Sequence, residues 1–201
     1  TRATPDGADF ASDPLGARYR LRGNKMWISS GEHELTENII HLVLAKTPDA
    51  PESSKGISLF IVPKVLLNAD GSLGARNAVS CGSLEHKMGI KANATAVMNY
   101  DGAQGWMVGE ENKGLAAMFT MMNSARLNVG LEGVGVAEAA LQVAVGYARD
   151  RKQGSAPGTE GSAPIIRHPD IQRSLATMAA NVQVARAICY ACGAAAEIAE
   201  H

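Results

Sequence analysis

The chain has 201 residues, enough for one or two domains with a sizeable buried core. Its 19 basic against 20 acidic side chains leave no electrostatic footprint for a polyanion, so nucleic acid is not an expected partner. Apolar runs such as Ile57 to Val62 are far shorter than the roughly 20 residues a bilayer demands, so no membrane partner is expected either.

Three cysteines, an odd number, fit a reducing cytoplasm better than a disulfide framework. The chain starts at Thr1 without a charged-then-apolar leader, which gives the expectation of no secretion signal, and it reads as a piece of a longer protein.

From the N-terminus, Tyr19 to Arg22 and Lys25 to Ser30 flank Gly23-Asn24, a two-residue connection of the kind that closes a hairpin. In Lys25 to Gly31, strand alternation places Lys25, Trp27 and Ser29 on one face and Met26, Ile28 and Ser30 on the other. A flat aromatic two residues from a hydroxyl suits a planar heterocycle that needs a wall and a hydrogen-bond donor; ordinary packing explains the same residues. Ile39 to Lys46 and Gly56 to Pro63 read as further strands joined by the loop Thr47 to Lys55. Asn77 to Cys81 and Thr95 to Tyr100 follow, with Gly89 to Ala94 as a turn-rich approach. Short strands at this spacing predict a small β-barrel or sandwich.

The character of the chain changes near Glu110 to Gly114, where alanine and leucine at helical spacing replace β-rich runs. Met118, Met122, Ala125 and Val129 fall on one helical face, which continues through Val136, Ala140 and Val143 to about Arg149. Glycines 130, 133 and 135 cost about 1 kcal/mol each relative to alanine, and close helix packing is the expected reason to keep them. Gly133-Val134-Gly135 lies inside this helical pattern and is not a dinucleotide fingerprint. Gly154 to Pro164 reads as a flexible loop, and Pro169-Asp170 opens a second helix. Cys189 and Cys192 spell C-x-x-C in an alanine-rich helix with no second pair, so they read as small hydrophobes rather than a zinc or redox site. His33, His86 and His168 have no partner at ligand spacing, so no metal site is expected. The fold class is α+β, with a β-domain over residues 1–110 followed by long antiparallel helices over 111–201.

Three stretches in this order, Lys25 to Gly31, Lys87-Met88-Gly89-Ile90-Lys91 with Thr95, and Val108 to Leu115, resemble the acyl-CoA dehydrogenases. The resemblance covers nearly the whole chain, as the middle β-domain and the N-terminal part of the C-terminal helical bundle. The wording of Gly31-Glu32-His33, Cys81 to Lys87 and Phe119 to Asn123 is similar to the bacterial branch that includes 3-methylmercaptopropionyl-CoA dehydrogenase.

This resemblance implies a cytoplasmic FAD oxidoreductase that removes an α-proton and a β-hydride from an acyl-CoA thioester, the hydride going to flavin N5. Trp27 and Ser29 match the residues that wall the isoalloxazine and hydrogen-bond near N5. Arg151 matches an arginine that reaches the FAD of a neighbouring subunit, although Gln153-Gly154 replaces the usual Thr-Phe-Gly that follows, and the helix dipole explains a basic helix end equally well. Asn123 and Arg126 match positions lining the acyl-CoA site; the family commonly has an acidic residue where Asn123 stands, and an interhelical ion pair also accounts for Arg126. Met118, Met121 and Met122 suit either an adaptable acyl pocket or core.

The α-proton needs a positioned carboxylate base. One branch of the family carries it where Ala125 stands here and the other carries it beyond this chain's end, so no catalytic residue is expected within the 201 residues and the chain alone is not expected to turn over. The family's flavin-contacting Thr-Glu-Pro-x-x-Gly-Ser-Asp strand has only a distant echo in Asp6-Gly7-Ala8-Asp9. Expected partners are an acyl-CoA, an electron-transfer flavoprotein and further copies of the chain, as a dimer or tetramer. Alternatives are an acyl-CoA oxidase, a DNA-protecting relative, which would want a basic helical surface, and a folded scaffold that binds nothing alone.

Overall fold

The computed structural model describes residues 1–200. Eight strands come first: β1 (Arg2–Pro5), β2 (Arg18–Ser29), β3 (Ile40–Ala45), β4 (Ser58–Pro63), β5 (Val65–Leu67), β6 (Leu73–Arg76), β7 (Val79–Leu84) and β8 (Thr95–Val108). Two helices follow, α1 (Gly114–Asp150) and α2 (Pro169–Glu200). By contacts the chain divides into two compact units, Thr1–Thr120 and Met121–His201, with the division falling inside α1.

The first unit is built on the 14-residue β8. The sheet runs β1-β2-β8-β4-β3 with β7 also paired to β8, while β5 and β6 form a separate ribbon. Named strands pair antiparallel, and one parallel bridge ties Arg2 to Lys46, just past β3. There Ala3 N donates to Lys46 O at 2.8 Å and Lys46 N to Thr1 O at 3.3 Å, so the two outer strands of the sheet meet at one point. The interior is filled by Tyr19, Leu21, Phe60, Val62, Met98 and Tyr100, all essentially buried. Phe10, Tyr19 and Phe60 stack edge-to-face at 5.4 and 5.2 Å, a geometry that adds to area burial. Asp6, Asp9 and Asp13 converge on Arg18 at 3.1, 3.3 and 2.9 Å. The acidic echo near the N-terminus thus pins the β1–β2 connection.

Gly23-Asn24 does not close a hairpin. Both residues pair with Tyr100 and Asn99 of β8 in mid-β2, and Asn24 Nδ2 donates to Asn99 Oδ1 at 2.7 Å. Gly23 has φ 132°, and a Cβ there would stand 3.0 Å from Thr1 Cα. Close backbone approach, rather than a turn, is what selects glycine. β8 likewise runs on past Tyr100 through Asp101-Gly102, a dipeptide that reads as a turn and here lies within a strand, with Gly102 at φ 85°.

The first turn of α1 starts on the sheet. Gly114 N donates to Ile57 O at 2.8 Å, and a Cβ on Gly114 would lie 2.3 Å from the Ser58 carbonyl carbon, so only glycine fits.

In the second unit, Gly130, Val134, Ala137 and Ala140 of α1 line one apolar groove with Val182, Ala185 and Cys189 of α2, so Ala140 of the predicted face is included while the valines of that face are not. Val129, Val136 and Val143 are exposed, Val143 by 73%. The predicted positions do share one face of a 3.6-residue helix, but that face is turned by roughly 90–120° from the one on which Gly130, Val134 and Ala137 lie. Gly130 packs as expected, its Cβ position 3.4 Å from Cys189 Sγ, whereas Gly133 and Gly135 face open space. Arg186 Nη2 and Glu138 Oε2 cross-link the helices at 2.8 Å. The loop read as flexible is internally bonded: Gln153 N to Ala163 O at 3.0 Å, Ala163 N to Gly154 O at 2.9 Å, and Thr159 Oγ1 to both backbone groups of Ala156, with Ala156 and Ala163 buried. Both helices are also long and apolar enough to cross a membrane by length and composition, which the short strand runs did not reveal.

Candidate functional site

The end of β2 departs from regular strand geometry where Lys25-Met26-Trp27-Ile28-Ser29 stands. Lys25 opposes Met98 and Ile28 opposes Ala96, so one extra residue is inserted between them. This β-bulge corrects the simple alternation: Lys25 joins Ile28 on the interior side, while Trp27 and Ser29 remain outward. Trp27 takes φ 55° and is 69% exposed. A bulky residue in the left-handed region costs on the order of 1–3 kcal/mol, and such strain concentrates at functional sites. Ser29 lies opposite Thr95 on β8, and its hydroxyl has no partner among the described residues.

A loop clamps this bulged end. Ser30 N donates to Ala94 O at 2.8 Å and Ser30 Oγ to Asn93 Oδ1 at 3.0 Å. Lys87 Nζ in turn donates to Ile90 O at 2.6 Å and Asn93 O at 2.7 Å, stitching the loop closed around Ile90, which itself sits at φ 50°. The motif Lys87 to Lys91 with Thr95 is thereby brought to the same place as Trp27 and Ser29. A cleft of about 320 Å³ beside it is lined by Lys87, Lys91, Asn93 and Thr95.

In the second unit, Asn123 and Arg126 are three residues apart on α1 and therefore share one exposed face. Arg151 follows the last turn of α1; its N donates to Tyr147 O at 2.9 Å and its O accepts from Ile165 N at 2.8 Å, leaving the side chain exposed.

Residues 112–201 match the family described as acyl-CoA dehydrogenase, C-terminal domain. The chain is 54% identical to 3-methylmercaptopropionyl-CoA dehydrogenase of Ruegeria pomeroyi over 91% of its own length, and spans 32% of that relative. The chain belongs to the acyl-CoA dehydrogenase family. Among solved structures, butyryl-CoA dehydrogenase of Megasphaera elsdenii superposes with TM-score 0.68 at 28% identity, covering 94% of this chain and 43% of that one. An acyl-CoA dehydrogenase of Bacillus anthracis, described as complexed with FAD, superposes with TM-score 0.67 at 28% identity over 94% and 28%. The chain thus spans about a third of the length of the curated relatives it matches.

Within this acyl-CoA dehydrogenase segment, the structure also assembles polar groups that no motif announced. Tyr100 OH and His41 Nδ1 are 3.3 Å apart inside the sheet, and His41 Nε2 is buried without a partner. Burial lowers the His41 pKa, with Lys64 adding to the effect and Glu32 opposing it. Burial pushes the Tyr100 phenol up to about 12 and lowers the Lys25 ammonium. Burial also pushes Glu32 up, but Lys64 and Arg76 outweigh it and hold the carboxyl below its usual value. The signal that would have found His41 is its place on the inward parity of β3 with Val43 and Ala45. His33 Nδ1 accepts from Leu35 N at 3.2 Å and His168 Nε2 meets Gln153 O at 2.9 Å, both loop-bracing contacts. No cluster with metal-ligand composition occurs among the described residues.

Proposed function

We propose that this chain is the middle β-domain, residues 1–110, and the first part of the C-terminal helical domain, residues 111–201, of a cytoplasmic FAD-dependent acyl-CoA dehydrogenase. The observation that carries the reading is Trp27: an indole held outward on a strained bulge, two residues before a free hydroxyl. That donor set fits a planar, hydrogen-bonding heterocycle. The bridge between Arg2 and Lys46 supports reading the sheet as a small barrel. When bound, FAD supplies the acceptor for the β-hydride of the thioester. Trp27 would wall the flavin ring, Ser29 would donate a hydrogen bond near N5, and Arg151 would reach a flavin held by a second copy. Asn123 and Arg126 would line the acyl-CoA site. The general base lies outside this chain, because Ala125 occupies the helical position where one branch of the family carries it. The 54% identity to a dehydrogenase named for 3-methylmercaptopropionyl-CoA favours a short thioether acyl chain as substrate. An electron-transfer flavoprotein as acceptor and a homodimer or homotetramer complete the proposal.

The test is the visible spectrum and flavin content of the full-length parent before and after adding methylthiopropionyl-CoA without oxygen. Bound FAD that bleaches supports a dehydrogenase, and slow re-oxidation by air separates it from an oxidase. A colourless protein that cannot be reconstituted with FAD overturns the reading. Trp27→Gly, which removes the indole and relieves the φ strain, should lower flavin affinity at least tenfold without loss of stability.

A further inference from the structure

Backbone strain in the first unit gathers at one place. Of the four non-glycine residues with positive φ among the described residues, Trp27 (55°), Ser30 (54°) and Ile90 (50°) lie at the bulged end of β2 and in the loop that clamps it. Such conformations persist only where the surroundings over-determine them. On one side the loop does so, through the exposed contact of Ser30 Oγ with Asn93 and the bond from Ser30 N to Ala94 O. On the other side the chain leaves β2 through Gly31, which is buried with its Cβ position 2.9 Å from Met98 Sδ, and reaches Glu32.

Glu32 is where this exit is fastened. Its Oε1 pairs with Lys64 Nζ and its Oε2 with Arg76 Nη2 at 3.2 Å, and Lys64 Nζ also donates to His33 O at 3.4 Å. The Glu32 and Lys64 side chains are 25% and 15% exposed, so solvent screens this pair less than a surface one, whereas Arg76 is 57% exposed. Lys64 is a fixed post between β4 and β5. Its N donates to Ile39 O at 2.8 Å and its O accepts from Asn77 N at 2.9 Å, while buried Asn77 is itself bonded through Nδ2 to Pro63 O and Gln104 O. Ser29 and Glu32 are three residues apart, at most roughly 10 Å of extended chain. Ser30 and Gly31 between them are already committed, one to a left-handed φ and the other to a buried backbone. We propose that Glu32 is a positioning residue for the flavin face: its pair with Lys64 fixes the exit of β2, and through it the pose of the Ser29 hydroxyl and the Trp27 indole. The inference rests on the reading of Trp27 and Ser29 as flavin contacts. Loss of the carboxylate leaves Lys64 a partly buried, unpaired cation and lets the exit relax, which moves the hydroxyl from the place where it tunes the flavin.

The midpoint potential of FAD bound to the full-length protein tests this, because a variant that loses only folding stability keeps the potential of its folded, loaded fraction. Ser29→Ala sets the direction of the shift. Glu32→Gln should move the potential the same way, through a tenfold change in the ratio of affinities for reduced and oxidised FAD, about 30 mV for a two-electron couple. The double variant Glu32→Gln/Lys64→Met removes both charges, so no unpaired cation is left to unfold the protein. It should show the same shift with stability near the parent's. If the double variant keeps the parent potential while Ser29→Ala shifts it, Glu32 is a structural brace only, and the inference is overturned with the flavin reading intact. If Ser29→Ala itself leaves the potential unchanged, the placement of Ser29 near N5 fails and the inference fails with it.

Discussion

The sheet and the helix pair bury their apolar residues to very different degrees. The sheet leaves Tyr100, Phe60, Leu21 and Met98 with almost no exposure. The helices bury one narrow stripe each, with Val134 and Val182 inside and Val129, Val136, Val143, Tyr147, Val184 and Ile198 outside. Only 6% of each helix's apolar window is buried. The residues of the sheet share one buried cluster, whereas two helices can cover only the stripe where they touch and need further helices for the rest. In an acyl-CoA dehydrogenase segment spanning a third of its relatives, the β unit is therefore the part built to be self-sufficient.

Breaking this contrast should be easiest at Phe60. Phe60→Ala should cost about 3–5 kcal/mol in urea unfolding of the β unit, while Val134→Ala, on a stripe open at both flanks, should cost about 1 kcal/mol. Equal costs would show that the helices pack more completely than the contacts indicate. Next in size is Lys87→Met, which deletes two charge-assisted bonds from the loop that clamps β2 and should cost about 1–2 kcal/mol. Limited proteolysis after Lys91 should speed up several-fold, and an unchanged cleavage rate would remove Lys87 from its clamping role.

The His41 prediction sharpens the comparison through pH. Its folded pKa lies below the unfolded value of about 6.5, so the unfolded state binds the proton first as pH falls. Stability should be full above about pH 6.5 and decline below it, through the window that ends at the lowered folded pKa. His41→Phe, which keeps an edge-on ring against Tyr100, should flatten that decline between pH 6.5 and 5. A slope identical to the parent's would assign the acid sensitivity to other groups. Smallest of all, Arg186→Ala should cost under about 1 kcal/mol, because its pair with Glu138 is partly exposed and screened by salt. A larger loss would mean that the α1–α2 contact depends on this pair rather than on Val134 and Val182.

Much of the helical architecture was legible because its signals are local. Alanine-rich periodicity carries α1 to Asp150, and Pro169 opens α2 where its missing N–H costs nothing. The strands at Ile40–Ala45 and Ser58–Pro63 were legible for the same reason, as β-branched runs between turn residues. The sheet end that carries Trp27 was legible as a motif but not as a geometry, since a bulge changes side-chain parity without changing a single residue type. Gly154 to Pro164 shows the same limit in another form: its composition is that of a mobile loop, and its order comes from Thr159 and Ala163 bonding across it.

What the residues determined unaided is the division into a β part and a helical part, the long helices, and the acyl-CoA dehydrogenase motifs, all properties of neighbours within a few positions. Tertiary structure alone decided whether Gly23-Asn24 turned or paired, which face of α1 met α2, and that His41 would sit against Tyr100, 59 residues away. Each of those outcomes depends on a backbone arriving from a distant part of the chain: Thr1 against Gly23, Cys189 against Gly130, β8 against β2. Local propensity carries no information about such arrivals, because the free energy that settles them is released only when the two surfaces meet.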